Sequence, residues 1–264
     1  YLHGQVRELL KRYGTIDYLW FDFSYGSRDW GWSKGKGADD WDSAAIVKLV
    51  HDLQPRILLN NRLGIQGGGV TTPEQFQPRA ETLDPAAPLR LIEECHTMNG
   101  SWGYDRDNLQ WKSPEMLVKM VVDAVAKGNN LLLNVGPTGR GEFDPRSVER
   151  LEAIGAWMRQ HGRAIHGAGP SRWAAPDGCR FTQRGDRLYL HVYSWPMRVI
   201  NLDGFAGRIR YAQFLHDGSE VAIREPAPRA DGNTSEAQAP ESVQVQLPIV
   251  RPEVLVPVIE LFLK

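Results

Sequence analysis

The chain has 264 residues, is 42% hydrophobic and carries a formal charge of −1. That is enough apolar material for one large domain, or a domain plus a smaller one, and two cysteines, Cys95 and Cys179, are too few for a disulfide framework. The balanced, interspersed charge leaves no electrostatic footprint for nucleic acid or an anionic membrane, and no window approaches the ~20 apolar residues of a membrane span, so neither is expected as a partner.

From the start of the chain, Val6, Leu9 and Leu10 recur at helical spacing in GQVRELLKRYG, and Gly14 reads as the stop. IDYLWFDF follows as a buried strand. DSAAIVKLVHDLQP then reads as a helix capped by Asp42 or Ser43, with a stripe of Ile46, Val47, Leu49, Val50 and Leu53 and a stop at Pro55. RILLNNR is a second buried strand and LRLIEECHT a third. SPEMLVKMVVDAVAKG opens on Ser113 as N-cap with Pro114 in the first turn, and closes on Gly128. NNLLLNVGP is a fourth strand, and DPRSVERLEAIGAWMRQHG a further helix.

Strand, helix, strand, helix with continuous apolar strands implies a parallel sheet covered by helices. Polar residues gather where each strand ends: Asp22, then Asn60, Asn61 and Arg62, then Glu93 and Glu94, then Asn134. A (β/α)8-like barrel carries its chemistry there; an open doubly wound sheet fits the same pattern. After about Gly167 the texture changes to short alternating strands, CRFTQRGDRLYLHVYSW, RVINLDGF, RIRYAQFLHDG, SVQVQLPI and PVIELFLK, separated by turns. These predict an antiparallel β-sandwich. The fold expected is α/β plus all-β: a catalytic barrel over 1–166 and a C-terminal sandwich over 167–264. REPAPRADGNTSEAQAPES, which holds a glycosylation sequon at Asn233, reads as a low-complexity loop within the sandwich.

One ionisable group breaks the first apolar strand. Asp22 is ringed by Trp20, Phe21, Phe23 and Tyr25, which would hold it partly desolvated; the bland alternative is a cap for the following loop. Glu74, in GGGVTTPEQFQPR, falls on a Gly-rich loop after the second strand, where a solvated glutamate is the alternative. Arg62 ends a strand with five donors, suited to clamp sugar hydroxyls or a carboxylate, or to bridge acids across the barrel mouth. A carboxylate on a rigid strand with a second carboxyl nearby is what glycoside hydrolysis requires, though Asp39, Asp40, Asp42, Glu93 and Glu94 compete. The seven histidines show no metal-ligand spacing, and no phosphate loop, dinucleotide fingerprint or serine nucleophile elbow appears, so no metal or cofactor is expected. Nine tryptophans, six of them before residue 112, suit core packing and equally the apolar faces of sugar rings.

Taken together, LWFDFSYG, LLNNRLG, VTTPEQFQPR, EECHTMNGSWGYDRD, WKSPEMLVKMVVDAVAKGNNLLLNVGPTGRGEFD and AIGAWMRQHGRAIHGAGPS resemble the retaining α-L-fucosidases of glycoside hydrolase family 29, in order from Gln5 to Ser171. The resemblance implies a metal-independent, exo-acting enzyme that removes terminal α-L-fucosyl residues from an oligosaccharide or glycoconjugate by double displacement. It makes Asp22 the nucleophile and Glu74 the general acid/base, and puts Trp20, Arg62, Tyr25, Glu94 and Trp102 at substrate-binding positions. A periplasmic or secreted location follows from the family alone. The chain departs from the pattern in reading Glu93-Glu94 where a Trp-Glu pair precedes the cysteine. Only about four or five barrel strands can be counted against the eight of a closed barrel. The upstream half of the barrel is therefore expected to be supplied by a preceding segment or by an oligomer, since parallel strand edges otherwise stay exposed. The alternatives are a catalytically impaired carbohydrate-binding fragment and a retaining glycosidase of other sugar specificity.

Overall fold

The computed structural model describes residues 1–22, 24–65, 69–78, 91–225 and 241–264; the low-complexity loop, with Asn233, lies outside them. They divide into two compact units, Tyr1–Pro78 with 91–95, and His96–Lys264.

In the first unit, helix α1 (Leu2–Arg12) turns Val6 and Leu10 inward. The i,i+4 series of Leu2, Val6 and Leu10 forms the buried stripe, and Leu9, one position off it, is left 40% exposed. Strand β1 (Tyr18–Leu19) and a single turn, α2 (Ala38–Trp41), precede helix α3 (Ser43–Leu53), which packs on α1 through the fully buried Ile46 and Val50. Asp42 is the residue between α2 and α3, in the left-handed region at φ 50°, but its side chain makes no capping bond. Ser43 is buried instead and donates to the Leu63 carbonyl at 2.8 Å. Gln54, just before the Pro55 stop, accepts from Ile16 N at 2.8 Å and donates to the Leu10 and Gly14 carbonyls. One side chain thus ties the end of α1 to the entry of β1.

Strand β2 (Leu58–Leu59) pairs with β1 in parallel, Tyr18 opposite Leu58 and Leu19 opposite Leu59. The next neighbour is the extended segment 70–75, where Asn60 pairs with Val70, Thr71 with Ile92 and Glu74 with Cys95, all parallel. That segment therefore lies between β2 and β3 (Glu93–Thr97). Gly69 makes this possible: it sits at φ 86°, and a Cβ there would collide with the Leu59 carbonyl oxygen, which accepts from Val70 N at 2.7 Å.

In the second unit, α4 (Pro114–Ala126) begins on Ser113, whose side chain accepts from Met116 N at 3.1 Å. Strand β4 (Asn130–Asn134) belongs to a two-stranded sheet with β3. Helix α5 (Pro145–His161) begins on Asp144, which accepts from Arg146 N at 2.8 Å. Seven strands follow: β5 (Cys179–Arg184), β6 (Arg187–Val192), β7 (Val199–Leu202), β8 (Ile209–Phe214), β9 (Ile223–Arg224), β10 (Val243–Gln246) and β11 (Val258–Leu263). A four-stranded sheet, β5-β6-β11-β8, faces a three-stranded sheet, β7-β10-β9, across one core. The described residues thus form an α/β region followed by a β-sandwich, and β9 is the one sandwich strand the alternation pattern does not reveal.

Strands β6 and β11 are buried on both faces, which their period of two explains. Leu188, Leu190, Val192, Ile259 and Leu261 enter the sandwich core. Tyr189 and Val258 point the other way, into a second core with Val118 and Val122 of α4 and Trp157 of α5. His191 shares that opposite face; its ring lies 6.4 Å from Trp157, and its Nε2 meets the Thr182 hydroxyl at 2.9 Å. His161 stacks on Trp157 at 4.8 Å and pairs through Nδ1 with the Trp157 carbonyl at 2.9 Å.

Burial holds both imidazoles neutral, pulling His161 down to about 4 and His191 to about 3 from an ordinary 6.5. Below 6.5 the unfolded chain binds protons that these folded sites refuse. Their contribution is therefore complete above pH 6.5 and drains away as the pH falls toward 4. Each group adds a slope of up to about 1.4 kcal/mol per pH unit in that window. Urea unfolding midpoints should fall between pH 7 and pH 5, and His191→Gln should make the fall shallower; a midpoint flat with pH in the native chain contradicts the assignment.

Candidate active site

Asp22 lies three residues beyond the two-residue β1, where backbone pairing has already ended. The side chain of Asn60, 3% exposed, extends the ladder. Its Oδ1 accepts from Phe21 N at 2.9 Å and its Nδ2 donates to the Phe21 carbonyl at 2.8 Å. That reciprocal pair fixes the peptide immediately before Asp22.

Arg62 follows two residues later on a single 3-10 turn (Asn61–Leu63). Its guanidinium is held on three sides. Nε donates to the Thr72 hydroxyl at 2.7 Å and Nη2 to the Thr72 carbonyl at 2.9 Å, while Asn61 Oδ1 accepts from both Thr72 N and Oγ1. The Trp20 ring lies 4.9 Å beneath it. Nη1 is left for the acids: it reaches Asp22 Oδ1 at 3.3 Å and Glu74 Oε1 at 2.6 Å. Two contacts to one nitrogen cap the separation of those oxygens at the sum of the distances, about 6 Å. The arginine side chain is only 15% exposed, against 45% for Asp22 and 38% for Glu74. The cation lies deeper than either of the two carboxylates it pairs with.

A third acid closes the cluster from β3. Glu93 Oε1 accepts from Trp20 Nε1 at 2.8 Å and from the Tyr18 hydroxyl at 3.4 Å. Burial and the adjacent Glu93 raise the Tyr18 phenol far above its ordinary value, so it stays a donor. Burial, then Glu93, push the Cys95 thiol up to about 11, with Arg62 opposing. Cys95 is thereby an apolar wall of the site and not a nucleophile. Among the described residues no group of three or more histidines, cysteines or acids could hold a metal ion.

The structure thus brings together Asp22, Glu74, Arg62 and Trp20. Glu74 differs from expectation in its setting: it occupies the parallel pairing with Cys95 and not a loop, because Gly69 turns the chain back beside β2. Glu94 and Glu93 differ in setting. Successive strand residues point to opposite faces, so Glu94 is fully buried on the face away from the cluster and Glu93 takes its place beside Trp20. The pairing of Glu93 with an upstream indole left no local sequence signal. Tyr25 stands at the base of the loop after Asp22, donating from its backbone N to Lys36 O at 2.8 Å. Trp102 belongs to the second unit, 44% exposed, its carbonyl accepting from Asn134 Nδ2 at 2.7 Å.

The α-L-fucosidase family model matches residues 1–163. The chain belongs to the α-L-fucosidase family. It is 29% identical over 201 residues to the tissue α-L-fucosidase of Bos taurus, a match that covers 73% of this chain and 40% of that protein. The solved structure of α-L-fucosidase isoenzyme 1 from Paenibacillus thiaminolyticus superposes with a TM-score of 0.85 at 36% identity, over 100% of this chain and 62% of that one. A family 29 α-L-fucosidase from Bacteroides thetaiotaomicron shares the fold at 23% identity and a TM-score of 0.79. The chain spans about two-fifths of the length of the curated relatives it matches.

Because Asn60 satisfies two part-buried backbone groups at once, Asn60→Ala should cost about 1–3 kcal/mol of stability. Urea denaturation checks this; a cost within experimental error would mean that the Phe21 peptide is held by other means. At pH 8 a thiol at about 11 is ionised to roughly one part in a thousand. Mass spectrometry after iodoacetamide treatment should therefore find Cys95 unmodified in the native protein and alkylated in urea.

Proposed function

We propose that this chain carries the catalytic pair of an exo-acting, retaining α-L-fucosidase, with Asp22 as nucleophile and Glu74 as general acid/base. The observation that supports it most is the pair of carboxylate oxygens on one Arg62 nitrogen. Retaining glycosidases keep their two carboxyl groups about 5–5.5 Å apart, and the cap of about 6 Å fits that range. Family membership supplies the sugar. The Bacteroides thetaiotaomicron neighbour is a trapped covalent intermediate in complex with 2-fluoro-fucosyl fluoride.

In this reading Asp22 attacks C1 of the fucosyl unit, breaking its bond to the glycosidic oxygen. Glu74, protonated from solvent as it releases Arg62, gives that proton to the glycosidic oxygen, so the leaving sugar departs neutral. Glu74 then takes a proton from water, whose oxygen displaces Asp22 and frees L-fucose with its configuration retained. Arg62 fixes the approach of Asp22 and donates to the sugar, and Trp20, pinned by Glu93, walls the ring. Glu93 replaces Glu94 among the supporting residues. Tyr25 and Trp102 remain proposed substrate contacts, and a fucosylated oligosaccharide or glycoconjugate the proposed substrate.

The parallel run β1, β2, 70–75 and β3 is proposed as an arc of a (β/α)8-like barrel, incomplete on its N-terminal side, with a border to the sandwich at 166/167. A preceding segment or a partner would complete it. Nitrophenyl α-L-fucoside hydrolysis tests the proposal. Asp22→Ala should lower turnover at least a thousandfold. Glu74→Ala should slow fucosides with poor leaving groups by about 10²–10⁴ and those with good ones much less. Asp22→Ala with native turnover would end the assignment. Sugar binding without hydrolysis by the native chain would favour the carbohydrate-binding fragment.

A further inference from the structure

The loop after Asp22 folds back on itself and raises two indoles into solvent. Its base is closed by Tyr25 N donating to Lys36 O at 2.8 Å, its middle by Gly35 N to Arg28 O at 2.6 Å, and its tip by Trp30 N to Ser33 O at 3.0 Å. Gly31, at φ 77°, turns the tip, so Trp30 and Trp32 flank a left-handed position. Their rings stack with centroids 6.3 Å apart and planes 29° from parallel. The edge of Tyr25 supports Trp30 at 6.2 Å and 89°, and the Arg28 guanidinium lies 5.8 Å from the Tyr25 ring and 5.6 Å from that of Trp30. One side of the stack is thus braced. The other is open: Trp32 is 85% exposed and Trp30 38%.

Exposed indoles held in fixed geometry cost hydrophobic free energy that burial would recover, and such a feature marks a binding surface more often than a packing accident. Its place in the chain says what it binds. Tyr25 is three positions on from Asp22, so the foot of the platform lies within about 11 Å of the proposed nucleophile along the chain. Fucose, as an exo-cleaved terminal sugar, fills the space between Asp22 and Glu74. What extends outward from there is the remainder of the glycan. A pyranose ring offers one face of axial C–H groups and a rim of hydroxyls, and a flat indole matches that face. The backbones of Asp29 and Lys34 pair across the same hairpin, and Asp29 Oδ1 accepts from Gly31 N at 2.7 Å, which holds the turn that carries the indoles.

We propose that Trp30 and Trp32 form a stacking platform for the pyranose ring on the leaving-group side of the glycosidic bond. The proposal rests on the assignment of Asp22 and Glu74 above, and one measurement separates the two. In the full chain with ¹⁵N-labelled indoles, N-acetyllactosamine and L-fucose are titrated in turn. N-Acetyllactosamine should shift the Trp30 and Trp32 resonances, and L-fucose that of Trp20. Trp32→Ala should weaken N-acetyllactosamine three- to tenfold, the worth of about one aromatic contact. Trp32→Phe should restore most of that affinity. Trp32 is so exposed that its removal leaves no cavity, and unchanged resonances elsewhere report that the variant is folded. Trp30 and Trp32 resonances that stay put throughout the N-acetyllactosamine titration, while L-fucose moves Trp20, overturn the platform and leave the fucosidase reading standing. Equal affinity in Trp32→Ala and native protein overturns it as well. If N-acetyllactosamine moves the indoles and L-fucose moves nothing, the indoles bind saccharide without a fucosyl site beside them, and the leaving-group assignment falls with the fucosidase reading.

Discussion

The site depends on one buried cation. Arg62 is mostly removed from water, and an unpaired charge in that position would cost several kcal/mol. The surrounding residues compensate for that burial group by group: Thr72 takes two of its donors, the Trp20 face lies below the guanidinium plane, and Nη1 collects two carboxylates. Without the cation, two carboxylates within about 6 Å would repel each other, and the segments that carry them would relax apart. Arg62 therefore stabilises locally and holds the nearer oxygens of the two carboxylates within about 6 Å of each other. It also answers an ambiguity in the sequence, where the residue fits either a sugar clamp or an ion pair between acids. Once its nitrogens are divided between Thr72 and the acids, the ion pair is the resting geometry from which a sugar contact would be made.

The acids reach Arg62 because the backbone is positioned economically. Strand β1 is two residues long, too short to place Asp22 by ladder bonds alone. Asn60 substitutes for a third rung, and the local cost of an irregular strand end is offset by a buried amide with both its polar ends satisfied. On the other side, Gly69 permits an approach to Leu59 that no side chain would allow, and so inserts 70–75 between β2 and β3. Gln54 does the comparable task for the entry of β1. Each of these residues is polar or small and lies outside a regular element.

That distribution explains what could be read from the sequence. Helices α1, α3, α4 and α5 follow from apolar periodicity and from Ser113 as a cap, and six of the seven sandwich strands follow from alternation between turn residues. These signals are local and repeat several times within each element. Asp22 stood out because an acid in an apolar run is a local anomaly, and Arg62 because it ends one. Glu93 did not, because its neighbour Glu94 is chemically identical and only the strand's phase relative to Trp20 tells them apart. Phase is set by pairing across the sheet, some seventy residues away in sequence. Glu74 reads as a loop residue for the same reason: only the Thr71–Ile92 and Glu74–Cys95 bridges, which no local pattern announces, bring its segment alongside β3. Two-residue β9 has too few positions to show alternation at all.

All of the residues in the cluster, Trp20, Asp22, Asn60, Arg62, Thr72, Glu74 and Glu93, fall within the first 95 positions and within one compact unit. The geometry of the two acids consequently needs no contribution from the sandwich, whose core is built from its own strands and closed by its own aromatic contacts. The same economy applies to the exposed hairpin. Its bonds are internal, from Tyr25–Lys36 at the base to Trp30–Ser33 at the tip, so the indoles keep their orientation without packing on a core. A rigid tip that presents two rings already pays, before any ligand arrives, much of the ordering entropy that a flexible aromatic loop would lose on binding. The acid cluster and the aromatic hairpin are thus each organised by bonds within their own stretch of chain.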